Sequence, residues 1–473
     1  MSFDLDSKTR RRLGYKMIDW VDEYFSSLPD RPVQLPIEQR TFAALADRMP
    51  EQGQEAEAVL NEACQELIDK GFHVPAANYF GLMNPTPAYL AVLAETLVAA
   101  LNPQLASLAR SQLASKIEAE TVRWIGERVG WRVPFDGTFT SGGNEANFSA
   151  LALALAWRFP EVVESGLASL SKPPVLYASS EAHHSIDKSA GLLGLGRRAL
   201  RRIPVDDRIQ LDPVRLESTI QDDLKQGLQP FAIVASAGTT NSGAIDDIPA
   251  LADLARRYEL WLHVDGAYGA AVIFSDHHRN LVRGIAQADS VTIDPHKWLA
   301  MPFAAGVLLT SHPEMLQKTF GVSTPYMPHA SSLPLLDNFK ISVQWSRRMN
   351  SLKLWLTLRV HGRLAYEELI DRQLRLAESF ADWTTKSREF VLAAPQILPI
   401  VNFCLKGPAR DSEAAAAAHA RIASEVCADG RLWISETRVA GNSVLRMMVI
   451  SYLTEEKHLQ SLQRALIKAA RKI

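Results

Sequence analysis

The sequence is poor in cysteine, in net charge and in long apolar runs, and each shortage excludes a class of protein. Its three cysteines lie far apart without CxxC spacing, which argues against a disulfide framework or a thiolate metal site. A net charge of -2 gives no electrostatic reason to expect binding to nucleic acid or to an anionic membrane. No stretch reaches the roughly 20 uncharged apolar residues of a membrane span, and residues 1–6 lack the apolar core of a secretion signal. We therefore expect a soluble, cytoplasmic protein.

The chain is long enough for more than one hydrophobic core. It has 473 residues, of which 47% are hydrophobic and 22% charged, as in an ordinary globular enzyme. Short β-rich runs alternate with helical stretches from about residue 137, whereas the first hundred residues have a mostly helical pattern. The sequence predicts an N-terminal helical segment (residues 1–88), a large α/β domain (89–350) and a small α+β domain (351–473).

Apolar runs predict the strands of both domains. In the large domain they lie at residues 138–140, 175–177, 231–235, 262–264, 291–293 and 306–309. Near-continuous apolar strands between helices predict a mainly parallel sheet covered on both faces. In the small domain, strands are predicted at residues 401–403, 432–434 and 444–450, before a C-terminal amphipathic helix. Ligands of parallel sheets bind beyond the carboxyl ends of the strands, and polar motifs follow five of the predicted strands.

The most informative motif is Asp-Pro-His-Lys-Trp at residues 294–298. Lysine is seldom buried unless it is paired, and burial penalises its charged form in favour of the nucleophilic amine. Lys297 is therefore a candidate for Schiff-base chemistry with a carbonyl compound. The alternative is a solvated lysine that happens to follow a strand.

Two further motifs would suit an anion and a basic ring nitrogen. Residues 140–147, Thr-Ser-Gly-Gly-Asn-Glu-Ala-Asn, follow a strand and open a helix, where glycines and free N–H groups can cradle a phosphate. Asp265 ends another strand, and its carboxylate could hold a protonated heterocyclic nitrogen. Small residues at Gly266 and Ala267 would let a flat ring lie against the backbone. A glycine turn and a helix-capping aspartate are the alternatives.

The remaining two motifs are less specific. His183, in residues 179–185, could stack on a ring or relay protons near neutral pH. His183 and His184 are not expected to bind a metal, because neighbouring side chains of an extended chain point opposite ways and no third ligand is evident. Residues 237–243 offer hydroxyl groups but also resemble a polar turn. Taken together, the motifs need one ligand with a phosphate, an aromatic ring with a basic nitrogen and an aldehyde, and pyridoxal phosphate meets all three demands.

On these motifs the chain resembles the pyridoxal-phosphate-dependent amino-acid decarboxylases of the group that includes aromatic-L-amino-acid decarboxylase and glutamate decarboxylase. The resemblance spans residues 10–460 and includes Ser-Leu-Lys-Leu-Trp at residues 351–355. It implies an α/β protein of PLP fold type I, with a mainly parallel seven-stranded sheet and a small α+β C-terminal domain. It also implies a homodimer with the active site at its interface, acting on an L-amino acid as its small-molecule substrate, with aromatic amino acids favoured.

The resemblance also assigns roles to individual residues. Lys297 forms the Schiff base with the cofactor, Asp265 pairs with its ring nitrogen, and His183 stacks over the ring. The other cofactor contacts fall on Gly142, Gly143, Asn144, Thr240, Ala267 and His296. The substrate pocket falls on Phe80, Asn84, Pro85 and Thr86. Asp294 stands where some members of the family carry asparagine, so its own contact is not assigned.

One departure from the aromatic decarboxylases leaves the product open. In those enzymes a mobile loop before the Ser-Leu-Lys-Leu-Trp segment delivers a catalytic tyrosine. The corresponding residues 331–348 contain no tyrosine: the position falls on Asn338, beside Phe339, and the nearest tyrosine is Tyr326. Related enzymes with phenylalanine there act as aldehyde synthases, which couple decarboxylation to oxidative deamination.

Four functions therefore remain in competition. A decarboxylase that makes an amine and CO2 is favoured, and an aldehyde synthase is the alternative; a glutamate- or aspartate-type decarboxylase is a less favoured substrate variant of the first. A nucleotide-binding dehydrogenase is disfavoured because residues 191–196 are badly placed for a GxGxxG turn. A non-catalytic binding protein is disfavoured by the intact Lys297.

Overall fold

The computed structural model describes residues 4–36, 49–325, 335–409 and 411–473. Within these ranges the chain forms thirteen α-helices. They are α1 Ser7–Ser27, α2 Ala56–Lys70, α3 Tyr89–Leu101, α4 Leu108–Val129, α5 Gly143–Arg158, α6 Val162–Ser165, α7 Ser185–Leu192, α8 Pro213–Lys225, α9 Ile248–Tyr258, α10 Pro313–Phe320, α11 Ser351–Lys386, α12 Glu413–Cys427 and α13 Glu456–Ala470. No helix in these ranges has the length and the apolar character needed to cross a membrane.

The strands form two separate sheets. The first seven strands are β1 Asp136–Thr140, β2 Pro174–Ser179, β3 Leu200–Ile203, β4 Gln229–Ser236, β5 Trp261–Asp265, β6 Ser290–Ile293 and β7 Gly306–Thr310. They make one sheet in the order β1-β7-β6-β5-β4-β2-β3. Only β7 runs antiparallel to its two neighbours, so the predicted mainly parallel, seven-stranded sheet is confirmed.

Alternate residues of the large sheet are buried against helices on its two faces. Ile233 and Leu262 pack with apolar residues of α8 and α9, whereas Val234 packs with residues of α5 on the opposite face. Because successive side chains of a strand point to opposite faces, a strand covered on both sides must be apolar throughout. This burial explains why the central strands could be recognised as unbroken apolar runs.

The small sheet lies in the C-terminal part of the chain. Its strands are β8 Phe390–Leu392, β9 Ile400–Leu405, β10 Ser435–Val439 and β11 Asn442–Met448, in the antiparallel order β10-β11-β9-β8. The strand predicted at residues 432–434 is wrong, because β10 begins at Ser435. Trp433 instead forms an isolated bridge with Tyr79 and stacks on its ring at 5.3 Å, which accounts for the apolar character of this stretch.

Two helices, α11 and α1, bear on the predicted division of the chain into parts. α11 begins at Ser351, the predicted start of the small domain, and its two helical segments meet at Gly362, whose φ of 73° favours glycine. The predicted N-terminal helix is present as α1, but none of its residues is buried within this chain. The division into parts at residues 88 and 350 stays a prediction.

Candidate active site

The five polar motifs converge on one cavity at the carboxyl edge of the large sheet. The cavity has a volume of about 340 Å³. Each motif contributes to its lining, which comprises Ser141, Gly142, Gly143, Asn144, Asn147, His183, Ser236, Gly238, Thr239, Thr240, Asp265, Ala267, Tyr268, Asp294, His296 and Lys297, together with Met83 and Phe303. The neighbouring strands β2, β4, β5 and β6 are parallel, so the loops after them emerge at the same edge.

Lys297 is neither fully buried nor freely solvated. It lies in the turn after β6, where its backbone N–H donates to the carbonyl of Asp294 at 2.9 Å. Its side chain is 24% exposed, and Nζ lies 3.0 Å from Oδ2 of Asp294. The amine therefore reaches the cavity while it is held by one carboxylate, which is not the arrangement of an ordinary surface lysine.

Asp294 is a buried carboxylate placed between Lys297 and His296. Burial opposes its ionisation, but the charge of Lys297 and the hydrogen bond from His296 outweigh that effect and hold the pKa of Asp294 below its usual value. Oδ2 contacts both groups, and lies 3.5 Å from Nε2 of His296. Oδ1 is also buried but finds no hydrogen-bond partner among the described residues. A buried acceptor without a donor indicates that a further polar group belongs in this cavity.

The glycines of the second motif leave room that a side chain would fill. A Cβ at Gly142 would lie 2.8 Å from Cε1 of His296, and one at Gly143 would lie 2.8 Å from Oδ2 of Asp294. Gly143 is the first residue of α5, so free N–H groups and the positive end of the helix dipole face the cavity there. This cradle fits the phosphate that the sequence predicts.

His296 is held on the other side of the cradle. Its Nδ1 accepts from the backbone N–H of Ala305 at 2.9 Å, so in the neutral ring Nε2 carries the hydrogen and faces Asp294. The ring also packs on Phe303, with centroids 4.4 Å apart.

Asp265 is held by two donors. Its Oδ1 accepts from the backbone N–H of Ala267 at 3.2 Å, and its Oδ2 accepts from Nδ2 of Asn147 at 2.8 Å. The carbonyl of Ala267 in turn accepts from the N–H of Asp294, which ties the two acidic residues to one short segment. The carboxylate therefore has a fixed orientation at the cavity wall.

His183 and Thr240 line the cavity as well. Nδ1 of His183 accepts from the backbone N–H of Ser185, which leaves the hydrogen of the neutral ring on Nε2. Desolvation in the cavity lowers the pKa of His183, so the neutral ring is favoured at neutral pH. His184 is directed outwards, with its side chain 94% exposed. In the described ranges no three metal-ligand side chains are grouped closely enough to hold an ion.

The predicted substrate residues are not among those that line the cavity. The side chain of Phe80 is completely buried in the core of the small sheet. Thr86 is also buried, and its Oγ1 contacts the carbonyl of Pro75 and Oγ of Ser451, each at 2.6 Å. Asn84 and Pro85 lie in the same segment outside the lining set, and the segment reaches the cavity through Met83 instead.

The residues predicted in place of the loop tyrosine lie in the core. Nδ2 of Asn338 donates to Oγ of Ser115 at 2.8 Å, and Phe339 stacks on Trp345 at 4.7 Å. Both residues are buried and neither lines the cavity. Tyr326 and residues 331–334 lie outside the described residues.

Several residues at or behind this wall had no role in the sequence prediction. Asn147 belonged to a quoted motif but was given no role, and Met83 and Phe303 lie in loops without a recognisable pattern. Arg446 is buried in β11, where Nη1 donates to the carbonyl of Thr240 at 2.8 Å. A buried arginine in a strand is itself a signal, but its contact could not be read from the sequence.

Comparison with known proteins agrees with this geometry. Residues 39–406 match the model of the pyridoxal-dependent decarboxylase conserved domain. The chain is 28% identical to an aromatic-L-amino-acid decarboxylase of Bacillus atrophaeus, over 98% of this chain and 96% of that protein. It is 31% identical to the acidic amino acid decarboxylase GADL1 of Bos taurus, over 70% of this chain and 64% of that protein. Other relatives include plant aldehyde synthases.

The fold comparison points the same way. A crystal structure of mouse CSAD superposes with a TM-score of 0.92 at 26% identity, covering 99% of this chain and all of that one. The chain therefore belongs to the pyridoxal-dependent decarboxylase family. The predicted family, fold class, cofactor and enzyme class, a carboxy-lyase that uses pyridoxal phosphate, are confirmed.

Proposed function

We propose that this member of the pyridoxal-dependent decarboxylase family converts an aromatic L-amino acid to its amine and CO2, with Lys297 as the amine that bonds the cofactor. The convergence of Lys297, Asp265 and the glycine cradle on one cavity carries the proposal. These three features would meet the aldehyde, the ring nitrogen and the phosphate of one cofactor molecule. The reaction consumes one proton for each CO2 released, because hydrogen replaces the carboxylate on Cα.

The cofactor, when bound, supplies an electron sink for the pair left on Cα when CO2 departs. The chain's own part is to position and to exclude water. In this proposal Gly142, Gly143 and Asn144 hold the phosphate, with His296 beside them. His183 and Ala267 confine the ring from its two faces, and Thr240 hydrogen-bonds near it. Asp265 would stay fixed opposite the ring nitrogen, and we infer that this preorganised charge makes the largest contribution to the rate.

Proton delivery to Cα must come from groups other than a tyrosine at residues 335–348. The cavity offers Nζ of Lys297, which lies beside Asp294, and Nε2 of the neutral His183. We propose Lys297 as the donor, since its Nζ reaches the cavity where the substrate would bind and lies beside Asp294. Asp294, whose Oδ2 lies 3.0 Å from Nζ of Lys297, would hold that amine in place.

The cavity wall supports the aromatic substrate class. Met83 and Phe303 supply its large apolar side chains, and among the described lining residues no arginine is present to pair with a second carboxylate. An acidic amino acid would place that carboxylate against apolar surface, which is unfavourable without a partner. The aromatic relative from Bacillus atrophaeus is consistent with this preference, whereas the acidic relative from Bos taurus is not.

The decisive experiment compares Lys297→Ala with Lys188→Ala, an exposed lysine of α7. Purified proteins are supplied with pyridoxal phosphate and each of the twenty amino acids, and released CO2 is measured. We expect the wild type and Lys188→Ala to release CO2 from aromatic substrates with the visible absorption of the bound cofactor intact. Lys297→Ala should lose both signals, and turnover by it at the wild-type rate would contradict the proposal.

An aldehyde synthase is the second candidate, favoured by the absence of a tyrosine from residues 331–348 and by the aldehyde synthases among the relatives. In that reaction the amino acid, O2 and water give the aldehyde, CO2, ammonia and hydrogen peroxide. Peroxide and ammonia equal to the CO2 released would establish this reaction. Amine equal to CO2, without peroxide, would exclude it.

We further propose that the chain acts as a homodimer. α1 and α3 present large apolar side chains to solvent, among them Tyr15 and Ile18 at 53% and 52% exposure, and Leu93 and Leu97 at 44% and 49%. Surface of this kind usually marks a contact with another protein. Light scattering should give twice the monomer mass, and Ile18→Asp should lower it; a monomeric wild type at micromolar concentration would refute the dimer.

A further inference from the structure

A chain of buried polar side chains runs behind Asp265, away from the cavity. It begins at Asn147, whose Nδ2 donates to Oδ2 of Asp265 at 2.8 Å. Oδ1 of Asn147 lies 3.0 Å from Nε2 of His263, and Nδ1 of His263 lies 2.8 Å from Oγ of Ser290. Ser290 also accepts from Nε1 of Trp261 at 2.8 Å. Asn147, His263, Ser290 and Trp261 are all buried, so water does not replace these contacts.

The donors and acceptors of this chain permit only one direction. The indole of Trp261 can only donate, so Ser290 accepts from it and keeps its own hydrogen for Nδ1 of His263, which must accept because Nε2 faces Oδ1 of Asn147. His263 then carries its hydrogen on Nε2 and donates it to Asn147. The amide of Asn147 cannot be reversed, because its oxygen would then face the carboxylate of Asp265. Each group therefore donates towards Asp265.

Side contacts lock the amide in the same orientation. The second hydrogen of Nδ2 of Asn147 goes to Oγ of Ser185 at 2.9 Å, and Oδ1 accepts from Oγ1 of Thr292 at 2.9 Å. The amide is thus fully satisfied, and its turning would break four contacts. Burial also lowers the pKa of His263 to about 4, which keeps the ring neutral and its Nδ1 an acceptor at neutral pH.

We propose that Asn147 and His263 are positioning residues, which hold Asp265 in the orientation that receives the ring nitrogen of the cofactor. This inference rests on the role proposed above for Asp265. A carboxylate free to rotate about χ1 and χ2 would reach the ring nitrogen only part of the time. Directed hydrogen bonds in a dry interior polarise one another, so the far end of the chain contributes to the contact at Asp265.

A double-mutant cycle on cofactor affinity tests this role. The apoprotein is titrated with pyridoxal 5'-phosphate, and the dissociation constant is read from tryptophan fluorescence without substrate. We expect Asn147→Leu, which keeps the volume but not the donor, to raise the constant about 10- to 100-fold, as for a lost hydrogen bond to a charged group. In an Asp265→Ala background the same change should raise the dissociation constant less than about threefold, because the carboxylate that Asn147 positions is gone.

Two further variants complete the design. Ser149→Ala changes another buried serine of α5 that lies outside this chain of contacts, and should leave the constant within about twofold. Ser290→Ala perturbs the far end, and should raise the constant by about three- to tenfold in the wild-type background only. Circular dichroism verifies folding, and if Asn147→Leu does not fold, the Ser290→Ala cycle decides the question.

The outcomes separate this role from packing and from the proposed reaction. Equal losses in both backgrounds would show that Asn147 only supports the fold, and an unchanged constant would show that it does nothing for Asp265; either overturns the inference. Binding does not depend on turnover, so a protein that shows the coupling but releases no CO2 from any amino acid would refute the proposed function alone.

Discussion

Replacing Lys353 by methionine should loosen one wall of the active-site cavity. The side chain of Lys353 is fully buried, and its Nζ donates to the carbonyl of Pro302 at 3.1 Å and to that of Ala304 at 2.6 Å. These two residues flank Phe303, which lines the cavity. The next residue, Ala305, gives its N–H to His296. One buried ammonium group therefore holds the whole segment 302–305.

The expected cost can be worked out from the partners of the ammonium group. A hydrogen bond from a charged donor contributes about 1.5–3 kcal/mol, and Lys353→Met removes two of them. The third partner, Glu95, lies 2.7 Å away but also contacts Arg348, so its carboxylate is not left unpaired. Water can reach part of the segment, because Phe303 is 58% exposed. We therefore expect the free energy of local opening to fall by about 2–3 kcal/mol, which raises the population of the open state by a factor of about 30 to 160.

Hydrogen exchange measures this opening directly. The amide of Ala305 should exchange about 30 to 160 times faster in Lys353→Met than in the wild type, and KM should rise because the Phe303 wall is no longer fixed. Lys406→Met is the matched control, since Nζ of Lys406 also donates to a carbonyl, that of Ser387, but at an exposed site. Less than about threefold acceleration at Ala305 would refute the reasoning.

Two other perturbations should give clear results. Gly142→Ala places a Cβ 2.8 Å from Cε1 of His296 and should weaken pyridoxal phosphate binding at least about tenfold. Gly14→Ala, with no atom near its Cβ, is the control and should bind the cofactor normally. Normal binding by Gly142→Ala would contradict the phosphate cradle. The second perturbation is acid. Burial lowers the pKa of His73 from 6.5 to about 4, so between these values the unfolded chain binds a proton that the folded chain does not. The free energy of unfolding therefore falls as the pH is lowered from 6.5 towards 4. Between pH 7 and 5 this loss is about 2 kcal/mol, and His73→Gln should be less acid-sensitive than the wild type in thermal unfolding; equal sensitivity would refute the assignment.

The sequence by itself determined six of the seven strands of the large sheet, all but β3, and most of the cavity that follows them. A strand covered on both faces must be apolar along its whole length, so β4, β5 and β6 could be recognised in the sequence as apolar runs. Because parallel strands end at a common edge, the polar residues after them, Lys297 and Asp265 among them, had to meet. Weakly apolar strands escaped detection: β10, Ser435–Val439, alternates between exposed and buried positions and is specified mainly by its pairing with β11.

Only the tertiary structure decided which side chains face the cavity and which face the core. Thr86 was predicted to line the substrate pocket, but its hydroxyl contacts Ser451, 365 positions away in the chain. His263 lay inside an apolar strand pattern, and the approach of Asn147 from α5 supplies the acceptor 3.0 Å from Nε2 of its ring. Local pattern fixes which face of an element is apolar, whereas the partner of a polar atom depends on contacts between distant segments. Those contacts turned five short motifs into one site.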